Sequence, residues 1–140
     1  METRNIGKSG LRVSSIGLGC NNFGQTVDAT ASQAIIHRAL DLGITLFDTA
    51  PVYGQPWGES ERILKTALGE HRKQVILVTK FGLTPDMSGM NTSRSAVIEG
   101  IEQSLNRLGT DYVDLFLLHW PDHATPMQWV AGVCSPLSPT

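Results

Sequence analysis

VILVTKFGLTPDMSGMNTSRSAVIEGIEQSLNRLGTDYVDLFLLH, residues 75–119, is the stretch that decides the fold class. It begins with Val75-Ile76-Leu77-Val78-Thr79, a β-branched and aliphatic run of strand length. Its middle, Ser93 to Leu108, puts Ile98, Ile101, Leu105 and Leu108 on a helical stripe, with Ser93 as N-cap and Gly109 to end the helix. It closes on Val113 to Leu118, a second largely apolar strand. Strands this apolar are expected where both faces of a parallel sheet are covered. A helix between two of them makes a right-handed βαβ unit.

Working upstream, the same alternation recurs. Ser60 to Leu68 is predicted helical, with Ile63, Leu64, Ala67 and Leu68 on one face and Gly69 behind it. Ile44 to Phe47 is predicted as a strand. Ala31 to Leu42 is predicted as a helix with Ala34, Ile35, Ala39 and Leu42 near one face and Gly43 as its stop. Ser14 to Leu18 is the candidate first strand, ended by Gly19. Before it, Thr3 to Ile6 and Leu11 to Val13 flank Gly7-Lys8-Ser9-Gly10 as a small hairpin. Downstream, Thr125-Pro126 pairs a capping hydroxyl with proline at a first helical position, and Met127 to Val130 begins a helix. Gly132 and the Ser135 to Thr140 tail then show neither periodicity nor an apolar face. The class is α/β with a parallel sheet. A doubly wound open sheet and a (β/α)₈ barrel both satisfy the pattern.

Bulk composition narrows the function. A chain of 140 residues with 41% hydrophobic and 17% charged residues has the length of one domain and an ordinary globular composition. A formal charge of −2, with Lys and Arg scattered, offers no footprint for nucleic acid. Cys20 and Cys134 make no disulfide framework and have no metal-ligand spacing, so a reduced, cytoplasmic setting is the expectation. Met1 to Asn5 lacks the apolar core of a signal peptide, and no apolar run approaches the ~20 residues that span a bilayer. His119 and His123 are four apart, but Pro121 prevents a shared helix face and argues against zinc. Gly17, Gly19 and Gly24 do not have G-x-G-x-x-G spacing; Gly19 is expected to turn the backbone at a rim, with Asn21, Asn22 and Phe23 lining the site. Trp57 and Trp120 fall in rim loops.

Four residues sit at or just past the ends of these strands: Asp48, Tyr53, Lys80 and His119. In a parallel sheet such positions converge on one edge, where α/β folds build their sites. Singly, each has an ordinary structural explanation. Together, each supplies what another lacks. A phenol with a pKa of about 10 exchanges protons poorly near neutrality, and a nearby ammonium favours its phenolate. Lys80 would provide that charge, Asp48 would hold Lys80 charged, and a neutral His119 would orient a substrate carbonyl. This is the equipment of a general acid for a developing alkoxide. It needs a hydride donor, so a nicotinamide cofactor is implied.

The runs Gly43-Ile44-Thr45-Leu46-Phe47-Asp48-Thr49-Ala50-Pro51-Val52-Tyr53-Gly54, Gly58-Glu59-Ser60-Glu61 and Val78-Thr79-Lys80-Phe81-Gly82 resemble the aldo-keto reductase superfamily. So do Leu11-Arg12-Val13-Ser14, Gly17-Leu18-Gly19, Ser104-Leu105-Asn106-Arg107-Leu108 and Tyr112-Val113-Asp114-Leu115. The similarity is closest to the bacterial and potassium-channel β-subunit-like branch and runs from about Leu11 to Met127. It implies a (β/α)₈ TIM barrel whose N-terminal hairpin plugs the bottom, and NADPH-dependent reduction of a small-molecule carbonyl to an alcohol. Carried over, Tyr53 would be the catalytic acid/base, Lys80 and Asp48 its tuning pair, and His119 the carbonyl-orienting residue. Asp48 would also lie at the nicotinamide end of the cofactor.

Such a barrel runs to about 250 residues, so the resemblance makes residues 1–127 the N-terminal half of a reductase domain, about four βα units. Residues 128–140 depart from the family pattern and are expected to be a poorly ordered tail, as from a frameshift, a retained intron or a premature end. The family's adenine, ribose and 2′-phosphate contacts belong to the second half, so these 140 residues alone are expected not to turn over. Two unpaired strand edges invite self-association. A cofactor-linked regulatory or partner-binding protein and a non-functional truncated product are the alternative expectations.

Overall fold

The computed structural model describes residues 1–121, 125 and 126. The start of a helix at Met127 to Val130, the tail 128–140 and Cys134 lie outside the described residues. The first two strands, β1 (Thr3–Asn5) and β2 (Arg12–Ser14), form the expected antiparallel hairpin, with Arg4 opposite Val13. Then follow β3 (Gly17–Gly19), α1 (Ala29–Asp41), β4 (Leu46–Asp48), α2 (Glu59–Leu68), a 3₁₀ segment (Gly69–Gln74), β5 (Ile76–Phe81), α3 (Arg94–Leu108) and β6 (Leu115–Leu118). Strands β3 to β6 make one parallel sheet in sequence order. Among the described residues, β3 pairs only with β4 and β6 only with β5. No helix among them is long and apolar enough to cross a membrane.

The helices start where side chains can satisfy free backbone N–H groups. Asp28 accepts from the Ala31 N–H at 2.8 Å and Ser93 accepts from the Ala96 N–H. Gly109 ends α3 in the left-handed region at φ 64°.

Alternation along the strands divides the sheet into two faces. Phe47, Leu77, Thr79 and Phe81 are buried toward the helices. Phe47 and Leu77 pack with Ile36 of α1, Ile63 and Leu64 of α2 and Leu108 of α3. Phe81 packs with Val97 and, ring against ring at 4.7 Å, with Phe116. The opposite face carries Leu46, Asp48, Ile76, Val78, Lys80 and Leu117, and it is more open: Leu117 is 42% exposed.

Several expectations need correction. On α1 the buried residues are Ser32, Ile36 and Ala39, whereas Ile35 and Leu42 stand out at 40% and 49% exposure. They face an apolar groove with Leu18 and Ile44 beside the open β3 edge. On α3 the fully buried line is Val97, Ser104 and Leu108, with Ile98, Ile101 and Leu105 half-buried. The last strand starts at Leu115 because the Asp114 carboxylate instead accepts from the Leu77 N–H and from Arg72. The face expected for α2 is correct, and it also contains Ser60 and Glu61.

Candidate functional site

The ladder register brings three of the four expected residues onto the open face. Asp48 is the last residue of β4 and pairs with Val78; Lys80 pairs with Leu117; His119 follows β6 with its N–H on the Phe81 carbonyl at 2.9 Å. Asp48 and Lys80 are thus inside the ladders, at their C-terminal ends, rather than beyond them.

Tyr53 reaches the same place from the β4–α2 loop. Its N–H donates to the Ala50 carbonyl at 3.0 Å, and its own carbonyl accepts from the Ser60 N–H at 3.1 Å. The loop closes because residue 54 is glycine. Gly54 has φ 86°, and a Cβ there would lie 2.6 Å from the Phe23 carbonyl oxygen and 2.9 Å from Glu59 Cβ.

Lys80 Nζ is the hub. It donates to Asp48 Oδ1 at 2.5 Å, to the Thr49 carbonyl at 3.1 Å and to Tyr53 Oη at 3.3 Å. An ammonium has three donors, and each has one acceptor here. The His119 ring stands edge-on to Tyr53 at 5.7 Å and to Trp120 at 5.3 Å. Partial burial, with the Lys80 charge beside it, holds His119 below the ordinary imidazole pKa, and Asp48 opposes this only in part. The ring is therefore neutral at pH 7. The site combines a hydroxyl able to give or take a proton, a fixed positive charge beside it and a neutral imidazole across from it.

Trp57 lines a narrow gap with Lys80, Leu83 and His119, and a neighbouring cavity of about 170 Å³ runs between Trp57, Asn91 and α3. Phe23, expected at the site, is 3% exposed and packs in the core. Asn21 and Asn22 are exposed, and the Asn22 carbonyl closes the turn through the Gln25 and Val27 N–H groups. Cys20, whose N–H donates to the Asp48 carbonyl at 2.9 Å, is buried, and burial, then the Asp48 charge, pushes its thiol up to about 12.

A buried layer that sequence reasoning missed lies on the helix side of the same strand ends. Ser60 donates to the Cys20 carbonyl and shares a 2.9 Å hydrogen bond with Thr49 Oγ1. Glu61, fully buried, accepts from Thr79 Oγ1 at 2.7 Å and from Arg107 Nε at 2.5 Å. The signal was present: Glu61 leads Leu64 and Leu68 at i, i+3 and i+7, a carboxylate on a buried stripe.

Comparison with known proteins identifies the family of this fold. The Aldo/keto reductase family model matches residues 15–138. The aldo-keto reductase YhdN of Bacillus subtilis is 42% identical over 98% of this chain and 43% of its own length. A probable voltage-gated potassium channel subunit beta of Oryza sativa is 38% identical over 91% of this chain and 40% of its own. The holo form of aldo-keto reductase AKR11C1 from Bacillus halodurans superposes with a TM-score of 0.87 at 35% identity, over 98% of this chain and 46% of that one. The chain thus spans less than half the length of these relatives, and the four parallel strands and three α-helices among its described residues are the N-terminal part of their (β/α)₈ barrel. Fold, matched span and sequence identity converge on one assignment: the chain belongs to the aldo/keto reductase family.

Proposed function

We propose that the site serves NADPH-dependent reduction of an aldehyde or ketone to an alcohol. The observation that carries this is the Lys80 ammonium in contact with both the Asp48 carboxylate and the Tyr53 hydroxyl. Tyr53 delivers the proton to the carbonyl oxygen. Lys80 favours the phenolate that remains, Asp48 holds the ammonium in place, and neutral His119 donates a hydrogen bond that orients the carbonyl. The nicotinamide of NADPH supplies the hydride that no side chain provides.

The residues present fit the nicotinamide end of that cofactor. The Asp48 side chain is 46% exposed although bound to Lys80, so it remains open to a further donor. Across the ladder stands Gly19, where a Cβ would meet only Asn21 Oδ1, at 3.9 Å. This leaves a clear floor for a planar ring. The resemblance assigns the adenosine and phosphate contacts to the second half of the longer family members, so the 140 residues alone are expected not to turn over.

Fusing this chain to the C-terminal half of the B. subtilis relative tests the assignment. NADPH oxidation with aldehyde substrates should appear in the fusion and fall by about 10²–10⁴ in its Tyr53→Phe variant, the range for losing a general acid. Undiminished turnover by Tyr53→Phe would remove Tyr53 from the mechanism. Turnover by the unfused chain would overturn its predicted inactivity. A second reading, cofactor-linked regulation of a partner protein, rests on the similarity to the rice channel-subunit protein. It requires NADPH binding without turnover in the fusion.

A further inference from the structure

We propose that Glu61 is a positioning residue for Lys80, acting through the Thr79 hydroxyl. The inference rests on the reading of Lys80 given above, but its test does not require catalysis. Thr79 and Lys80 are consecutive in β5, so their side chains leave opposite faces of the sheet. On the helix side, Thr79 Oγ1 is tied to Glu61 at 2.7 Å, and Glu61 is held in turn by Arg107 Nε, which reaches it from α3. On the open side, Lys80 meets its three acceptors. Pinning Thr79 fixes the pleat of β5 at the point from which the Lys80 side chain departs.

A buried ion pair is weak evidence for stability, because an apolar pair of similar volume often serves as well or better. Glu61 and Arg107 therefore call for another explanation, and the attachment point of Glu61 supplies one. It binds the neighbour of Lys80 rather than another part of β5. The adjacent residue of α2 acts similarly, since Ser60 binds Thr49, the neighbour of Asp48. Both members of the Lys80–Asp48 pair are thus referenced to one helical turn.

The test measures proton exchange of the Lys80 ammonium by NMR, assigned with Lys80→Arg, relative to the Leu77 amide at the other end of β5. Thr79→Val keeps shape and removes only the hydroxyl. It should speed Lys80 exchange relative to Leu77 by about tenfold, the population effect of losing one hydrogen bond to a carboxylate. Thr79→Ser should restore the native ratio. Glu61→Gln, whose Oε1 can accept from Arg107 while its Nε2 donates to Thr79, should keep the ratio while lowering the melting temperature. A merely structural link would speed Lys80 and Leu77 alike. An unchanged ratio in Thr79→Val, or failure of Thr79→Ser to restore it, overturns the proposal. Undiminished turnover by Tyr53→Phe would instead refute the catalytic reading, without bearing on the Thr79 exchange ratios, which are measured with Tyr53 in place.

Discussion

The Glu61–Arg107 pair allows the energetics of the buried layer to be worked through. Glu61 is wholly buried and the Arg107 side chain is 12% exposed, so neither charge has much access to water. Arg107→Met keeps the aliphatic stem, which lies across Gly58 so closely that a Cβ there would be 2.3 Å from Arg107 Cδ. It leaves the Glu61 charge with only the Thr79 hydroxyl, a loss of about 3 kcal/mol. Glu61→Leu leaves the guanidinium with the Ser104 hydroxyl at 3.1 Å as its remaining side-chain partner and takes the acceptor from the Thr79 hydroxyl, about 3 kcal/mol in all. The double variant removes both charges. It is left with a Thr79 hydroxyl without its acceptor and a Ser104 hydroxyl without its donor, about 2 kcal/mol together.

The arithmetic gives a coupling of about −4 kcal/mol, two minus three minus three. Urea denaturation of the four proteins at one pH measures it, with unchanged m-values as the check that the transitions stay comparable. If the double variant is as unstable as the sum of the singles, near 6 kcal/mol, the two charges do not depend on one another and the account of this layer is wrong.

Two further outcomes follow from the site. Gly54→Ala forces a Cβ at φ 86° to within 2.6 Å of the Phe23 carbonyl oxygen and should cost about 3 kcal/mol by urea denaturation; a loss below about 0.5 kcal/mol would mean the Tyr53 loop has no such constraint. Because His119 has a lowered pKa, the unfolded chain takes up its proton first as pH falls below about 6.5, so His119 costs stability between there and its folded pKa. The drop in denaturation midpoint between pH 7.5 and pH 5.5 should be smaller in His119→Phe than in the parent, with His37, His71 and His123 common to both; equal drops would contradict a neutral, desolvated ring.

The parallel sheet was legible because its strands are short, apolar and separated by glycine-stopped helices, and the strand-end positions of Asp48, Lys80 and His119 put them on one edge; their common face needed the ladder register. Periodicity was less informative about α1. Several apolar residues of that helix lie within one turn of each other, and packing selected Ile36, at 0% exposed, over Ile35. The start of β6 was misplaced because a side chain competed for the ladder: Asp114 takes the Leu77 N–H that a strand partner would have taken. Phe23 looked like a site residue by its place after Gly19, yet a turn closed by the Asn22 carbonyl directs it into the core. Ser60 and Glu61 were passed over because polar residues in a first helical turn are usually solvated or capping. Only the long-range contacts to Thr49 and Thr79 show otherwise.

Those contacts bear on how a site built from separate strands keeps its geometry. Asp48 and Lys80 lie on adjacent strands and must stay within hydrogen-bond reach, while Thr49 and Thr79, the residues beside them, point the other way into α2. Ser60 and Glu61 are consecutive, so a small sliding of α2 over the sheet carries both threonines in the same sense and by nearly the same amount. The difference between the two strand ends, which sets the Asp48–Lys80 distance, is then insensitive to the motion most available to a packed helix. Backbone bonding between these two strands ends with the Thr49 N–H on the Val78 carbonyl at 2.9 Å, while β5 continues beside β6 to Phe81. The buried polar turn of α2 adds side-chain ties at Thr49 and Thr79 to these backbone bonds, beside the point where the Lys80 side chain meets Tyr53.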